Sequence, residues 1–120
     1  MQPYYDRDGI TIFCGDCRDV LATLGIGAAD VVVTDPPFGI DFAYEAHDDD
    51  PAGYPQLMRA WLGEAHRIVG DGAFFVWQAM LTCERWHEWF PTGWRVFAAC
   101  KGFVQYRPQS VQHSWDPVIF

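Results

Sequence analysis

The chain is short of basic residues: among 120 residues it has 8 Lys and Arg against 16 Asp and Glu, a formal charge of −8. Phosphate backbones are gripped mainly by Lys and Arg, so this balance argues against the segment holding a nucleic acid on its own. Long apolar runs are also missing. Nothing approaches the roughly 18 consecutive apolar residues of a membrane span, and the start, Met1-Gln2-Pro3-Tyr4-Tyr5-Asp6-Arg7-Asp8, lacks a basic-then-apolar signal pattern. No membrane association and a cytoplasmic location are the expectations. A second cysteine pair is absent as well. Cys14 and Cys17 have the spacing of a zinc or redox pair, but Cys83 and Cys100 stand far apart and no two His sit at ligand spacing. No metal is expected, and His47, His66, His87 and His113 read as surface or boundary residues.

What is present points to a folded interior. Half the residues are hydrophobic and 17% are aromatic, which argues for a packed core over disorder. The length suits one domain spanning residues 1–120.

The pattern along the chain alternates strands and helices. Ile10-Thr11-Ile12-Phe13 predicts a short strand, and Asp16 can cap a helix from about Cys17 to Leu24 that stops at Gly25. Asp30-Val31-Val32-Val33-Thr34 is an unbroken, mostly β-branched run suited to a strand buried on both faces of a parallel sheet. Two prolines, Pro36 and Pro37, end it, because neither can donate to a ladder. The run Asp48-Asp49-Asp50 reads as a solvated loop. Beyond it Tyr54, Leu57, Met58, Trp61, Leu62, Ala65, Ile68 and Val69 follow helical spacing up to Gly70.

Ala73 to Trp77 predicts another buried strand, and Leu81 to Phe90 a helix with Trp86, Trp89 and Phe90 on one face. Trp94 to Cys100 reads as a strand, Gly102 to Gln112 as an irregular polar connection and Asp116 to Phe120 as a final strand. The expected fold class is therefore α/β: a Rossmann-like, mostly parallel sheet with helices on both faces, closing on an antiparallel pair. Phe120 lies inside an apolar run, and the domain is expected to continue beyond it.

Asp35-Pro36-Pro37-Phe38 carries the chemistry. Taken alone it is a strand-ending turn. Set after a β-branched strand, it falls where open α/β sheets collect ligands. An exocyclic amine on a base is a poor nucleophile because its lone pair is delocalised into the ring. A carboxylate from Asp35 and the carbonyl of Pro36 can hold the amine hydrogens and favour a pyramidal nitrogen, and prolines keep such carbonyls in place at little reorganisation cost. Phe38 would stack on a base drawn out of its duplex and recover part of the unstacking cost.

Gly15-Asp16-Cys17, followed by Asp30 to Thr34 and Asp35-Pro36-Pro37-Phe38-Gly39, resembles the front of the DNA adenine-N6/cytosine-N4 methyltransferase family in its permuted beta group. Trp61-Leu62 through Arg67-Ile68-Val69, the strand to Trp77, and Trp115 to Phe120 resemble that family too. The resemblance implies a partial S-adenosylmethionine-dependent methyltransferase fold. It implies DNA as partner, with the target base flipped from the duplex, and S-adenosylmethionine as cofactor. By the same carry-over Asp35, Pro36, Pro37 and Phe38 are catalytic, with Phe38 where Tyr is more usual. Asp16, Cys17 and Asp35 lie on the cofactor side, although Asp16 is equally readable as a helix cap. Asp at the first position leans toward adenine.

The family's glycine-rich cofactor loop has no counterpart among these residues. The alternative is therefore a truncated, inactive or partner-dependent fragment, completed by another chain or a carboxyl-terminal segment that brings the basic surface. A related methyltransferase acting on RNA or on a protein amide is a further alternative. Lys101 and Arg107 are candidate phosphate contacts, and the remaining Trp and Phe residues read as core.

Overall fold

Asp8 and Gly9 turn the chain back on itself in the computed structural model, which describes residues 1–102 and 115–120. Both have positive φ, 55° and 76°, the conformation a two-residue hairpin turn requires and Asp-Gly favours. They join β1 (Tyr5–Arg7) to β2 (Ile10–Ile12) in a two-stranded antiparallel ribbon. The expected strand Ile10 to Phe13 thus exists, but it pairs with its own neighbour and does not enter the main sheet.

The main sheet contains β3 (Val31–Thr34), β4 (Ala73–Trp77), β5 (Val96–Cys100) and β6 (Trp115–Ile119) in the order β3-β4-β6-β5. β3 and β4 are parallel, whereas β6 runs antiparallel to both β4 and β5. The sheet is mixed and not mostly parallel as expected; the closing antiparallel arrangement is present. All of the expected polar connection beyond Gly102 lies outside the described residues, as do Arg107 and His113.

Three helices accompany the sheet among the described residues: α1 (Cys17–Thr23), α2 (Tyr54–Val69) and a 3-10 helix (Met80–Glu88). The sequence reading of α1 and α2 holds nearly to the residue, and the helix expected from Leu81 is a 3-10 helix that stops before Trp89. α2 buries Tyr54, Met58, Leu62 and Ala65 against one face of the sheet, where Val76 and Ile119 are fully enclosed. Trp86, Trp89 and Phe90 complete that core, with the Trp89 ring edge-on to Tyr54 at 5.2 Å. Burial of each such side chain is worth about 1.5–3 kcal/mol.

The opposite face is covered only in part: Val118 is fully buried on it, whereas the residues around it are more open. Side chains alternate across a strand, so residues paired in register share a face. Val31, Val33, Phe75, Phe97 and Phe120 therefore project away from α2. Val31 and Val33 are 49% and 64% exposed, and Phe97 and Phe120 are also exposed. Phe75 packs on both Phe97 and Phe120 with ring centroids 6.0 Å apart. β3 is moreover an edge strand. The expectations that β3 is buried on both faces and that helices lie on both sides of the sheet are thus not met among the described residues.

Candidate functional site

The parallel pairing of β3 and β4 brings their carboxyl ends to one edge of the sheet. Antiparallel β6 begins at that edge and β5 finishes there. Asp35, Gln78, Lys101 and Asp116 follow or open these strands and so gather along it. The expected loop stands where it was read, directly after Thr34.

Its course is fixed from behind. Asp49, only 3% exposed, accepts hydrogen bonds from the backbone N–H groups of Gly39 at 2.7 Å, Ile40 at 3.0 Å and Phe42 at 3.2 Å. Its own carbonyl accepts from Asp41 at 3.1 Å. Asp50 accepts from Ala52 and Gly53, which turns the chain into α2, and these two N–H groups hold its carboxyl below the usual range. The acidic run is therefore not simply a solvated loop: even Asp48, which is exposed, forms a β-bridge with Ala43. Among the described residues nothing donates to the carbonyl of Pro36, which stays open as an acceptor.

Two segments distant in sequence meet in a cleft of about 270 Å3. Asp16 and Cys17 line one side, Pro36 and Pro37 another, and Tyr54, Met58 and Trp61 of α2 form apolar wall. α1 has no buried residue, and it is tethered by Arg67 of α2. The guanidinium donates to the carbonyls of Leu21 and Leu24, each at 2.8 Å, satisfying the helix end while its Nε binds Glu64.

Asp16 caps α1 by accepting from the Arg18 N–H at 2.9 Å. Its carboxylate also pairs with the Arg18 guanidinium, and these bonds hold its pKa down at about 2. The capping reading is realised, and the same side chain sits on the cleft. Asp35 and Phe38 do not line this cleft. Phe38 is half-buried, and the Asp35 side chain reaches solvent on the open face of the sheet.

No protein-family model and no curated protein matches the chain.

The electrostatics around Asp35 are unusual for an accessible carboxyl. Neighbouring protein strips part of its hydration and pushes its pKa up, the negative charge of Asp116 adds to that, and Lys101 opposes it. Lys101 is not a free phosphate contact, because its ammonium is 2.7 Å from Asp116. Behind the loop, burial pushes the Tyr54 hydroxyl up to about 12. Gln78, 2% exposed, donates to the carbonyl of Trp77 at 2.8 Å and lies 3.4 Å from the Tyr54 hydroxyl, while its Oε1 is buried without a partner.

Asp49, Gln78 and Asp116 were not singled out as site residues by sequence, and Lys101 only as a phosphate contact. Gln78 carried a readable signal, a polar residue immediately after an apolar strand at the edge where such sheets bind ligands. His47 is half-buried, the boundary position expected, and it lines the cleft with Nε2 unpartnered.

Proposed function

We propose that the chain is the front part of an S-adenosylmethionine-dependent DNA methyltransferase that modifies an exocyclic base amine, adenine N6 in the first instance. The observation that carries this reading is the cleft in which Asp16 and Cys17 meet Pro36 and Pro37, beside a loop whose Asp35 carboxylate and Pro36 carbonyl are both open to a ligand. The cleft is slightly smaller than the roughly 300–1,000 Å3 of ordinary ligand pockets, which suits one side of a cofactor site better than a whole one. When bound there, S-adenosylmethionine would supply an electrophilic sulfonium methyl group. Asp16 would contact its adenine, and Trp61 and Met58 would exclude water.

Asp35 holds one amine hydrogen and the Pro36 carbonyl the other, which turns the nitrogen lone pair toward the methyl group. Pro37 stiffens the loop, and Phe38 stacks on the extruded base. With that cofactor bound, the amine nitrogen would displace the thioether in line, N–C forming as the sulfonium C–S bond breaks and the surplus amine proton leaving along the hydrogen bond to Asp35, so positioning and charge placement would carry the rate.

A second reading, a fragment that depends on a complementing chain or segment, is favoured by the bare edge of β3 and by the exposed Val31 and Val33. A β-branched strand of this kind belongs in the interior of a sheet. Calorimetry of these 120 residues with S-adenosylmethionine should show weak or undetectable binding. A tritiated-methyl assay on a completed enzyme should show DNA methylation that Asp35→Ala abolishes. Phe38→Tyr should be tolerated and Phe38→Ala should cost about 1–3 kcal/mol of stacking. Robust methylation by the isolated chain would overturn the fragment reading; full activity of the completed Asp35→Ala variant would overturn the mechanism.

A further inference from the structure

α2 has a second flank that the Asp16 cleft does not use. Leu57 and Trp61, which line the cleft, lie on one side of its buried stripe; Arg59, Gly63 and His66, spaced by four and three residues, lie on the other. Along that other flank runs a groove of about 340 Å3, floored by Leu62, Phe74 and Phe90. The His66 ring, 6.0 Å from that of Phe74, closes one end. At the other end the Arg59 guanidinium donates to the carbonyl of Glu88 at 2.7 Å, which fixes a cation beside the peptide unit leading into Trp89. No carboxylate pairs with Arg59 among the described residues. The Glu88 carboxylate is turned to Arg85 instead, whose Nε and Nη2 donate to its two oxygens at 2.8 and 3.3 Å. Trp89 lines the groove and is 4% exposed, and its indole N–H is buried without an acceptor.

We propose that this groove binds a small carboxylate with an aryl-sized apolar body, its anionic head on Arg59 and the Trp89 N–H and its body on Leu62, Phe74 and Phe90. The groove end offers donors in excess of acceptors. Arg59 keeps further N–H groups beyond the one given to Glu88, and a buried N–H without a partner is uncommon in folded proteins because burial strips its water without return. A carboxylate supplies acceptors to both. A neutral apolar ligand would leave the donors as they are, a cation would be repelled by Arg59, and a fully hydrophilic anion would gain nothing from the apolar floor. The volume lies at the lower end of the roughly 300–1,000 Å3 of small-molecule sites, which suits one ring on a short acid chain. Gly63 leaves the flank open, since a Cβ built on it meets nothing within 4 Å. The proposal is independent of the methyltransferase reading, because no residue lines both the groove and the cleft.

The test is a nitrogen-15 NMR titration of the isolated chain with 3-phenylpropionate and, separately, with its uncharged amide. The acid should give a saturable shift of the Trp89 indole N–H together with the Gly63 and His66 amides, and should bind about tenfold more tightly than the amide, the margin of a charge-assisted hydrogen bond over a neutral one. Arg59→Gln should remove that preference with circular dichroism unchanged. Gly63→Leu extends a side chain over the open flank and should block both compounds. Absence of a saturable shift, equal affinity for acid and amide, or a preference that survives Arg59→Gln overturns the proposal. Should Gly63→Leu not fold, the acid–amide comparison in Arg59→Gln decides alone. Shifts confined to Cys17 and Trp61 would put the acid in the Asp16 cleft and overturn it equally.

Discussion

Gly39 lies against the ring of Tyr54 so closely that a Cβ added to it would come 2.4 Å from the tyrosine Cγ, and its backbone has φ of +66°. The end of the Asp35 loop is thus seated on the first turn of α2, and only a residue without a side chain fits. Gly39→Ala should cost about 1–2 kcal/mol for the left-handed backbone and a further 1–3 kcal/mol or so for overpacking against a buried ring. Urea unfolding measures the sum. A variant as stable as the unaltered chain would show that loop and helix are not seated together.

Asp49 does for this loop what a helix cap does for a helix end. Asp49→Ala removes the acceptor for the N–H groups of Gly39, Ile40 and Phe42. A buried donor left unsatisfied costs about 1–3 kcal/mol. Asp49→Asn retains one acceptor oxygen and should lose less. Equal stability of the two variants would contradict this account.

These two residues also show what the sequence could and could not disclose. α2 was legible because eight apolar residues recur at helical spacing, and the Asp35 loop because two prolines must end a strand. α1 was legible through the capping Asp16. β1 was missed because the turn signal, Asp8-Gly9, was not weighed as a hairpin. The pairing of β6 between β4 and β5 is a long-range choice that periodicity does not encode. Asp49 hid inside a charge run: three adjacent Asp look alike in sequence, and which one turns inward depends on where Gly39 to Phe42 present their N–H groups. The β-branched pattern of β3 described a strand suited to full burial, and the structure leaves one face and one edge of it open.

The Asp16 carboxyl, held down at about 2 by the Arg18 guanidinium and N–H, makes α1 sensitive to acid. A folded-state pKa below the ordinary 3.8 stabilises the fold above that value, and the contribution is lost as pH falls toward 2. NMR titration should show Asp16 protonating well below the ordinary carboxyl value of 3.8, with α1 amide signals broadening over the same range. Arg18→Gln should move the midpoint upward but not fully, since the backbone N–H bond remains.

Tyr54 gives the opposite limb. Its hydroxyl, pushed up to about 12 by burial, binds its proton more tightly in the folded chain than in the unfolded one. Stability is therefore full below about pH 10, the ordinary tyrosine value, and falls as pH rises from there through about 12. An ultraviolet titration should show a tyrosine step near pH 12, and Tyr54→Phe should remove that late step. Persistence of the late step in Tyr54→Phe would assign it elsewhere.

Arg67 decides whether the two walls of the cleft stay together. α1 buries nothing, so its position depends on the two Arg67 bonds to Leu21 and Leu24 and on the backbone bonds from Gly27 and Ala29 to Arg67 and Ile68. Hydrogen bonds from a charged donor are worth about 1.5–3 kcal/mol, more than the pairing with half-exposed Glu64 can contribute. Arg67→Met keeps much of the aliphatic stem and removes the fork. It should lower global stability by about 1–3 kcal/mol and raise amide exchange in α1 more than in α2 or β4, because those elements keep their core contacts. Arg67→Lys should rescue little, since one ammonium cannot span two carbonyls as the planar fork does. If α1 exchange is unchanged in Arg67→Met, the tether is not what holds Asp16 and Cys17 opposite Pro36 and Pro37, and the cleft must owe its shape to the segment from Gly25 to Asp30 alone.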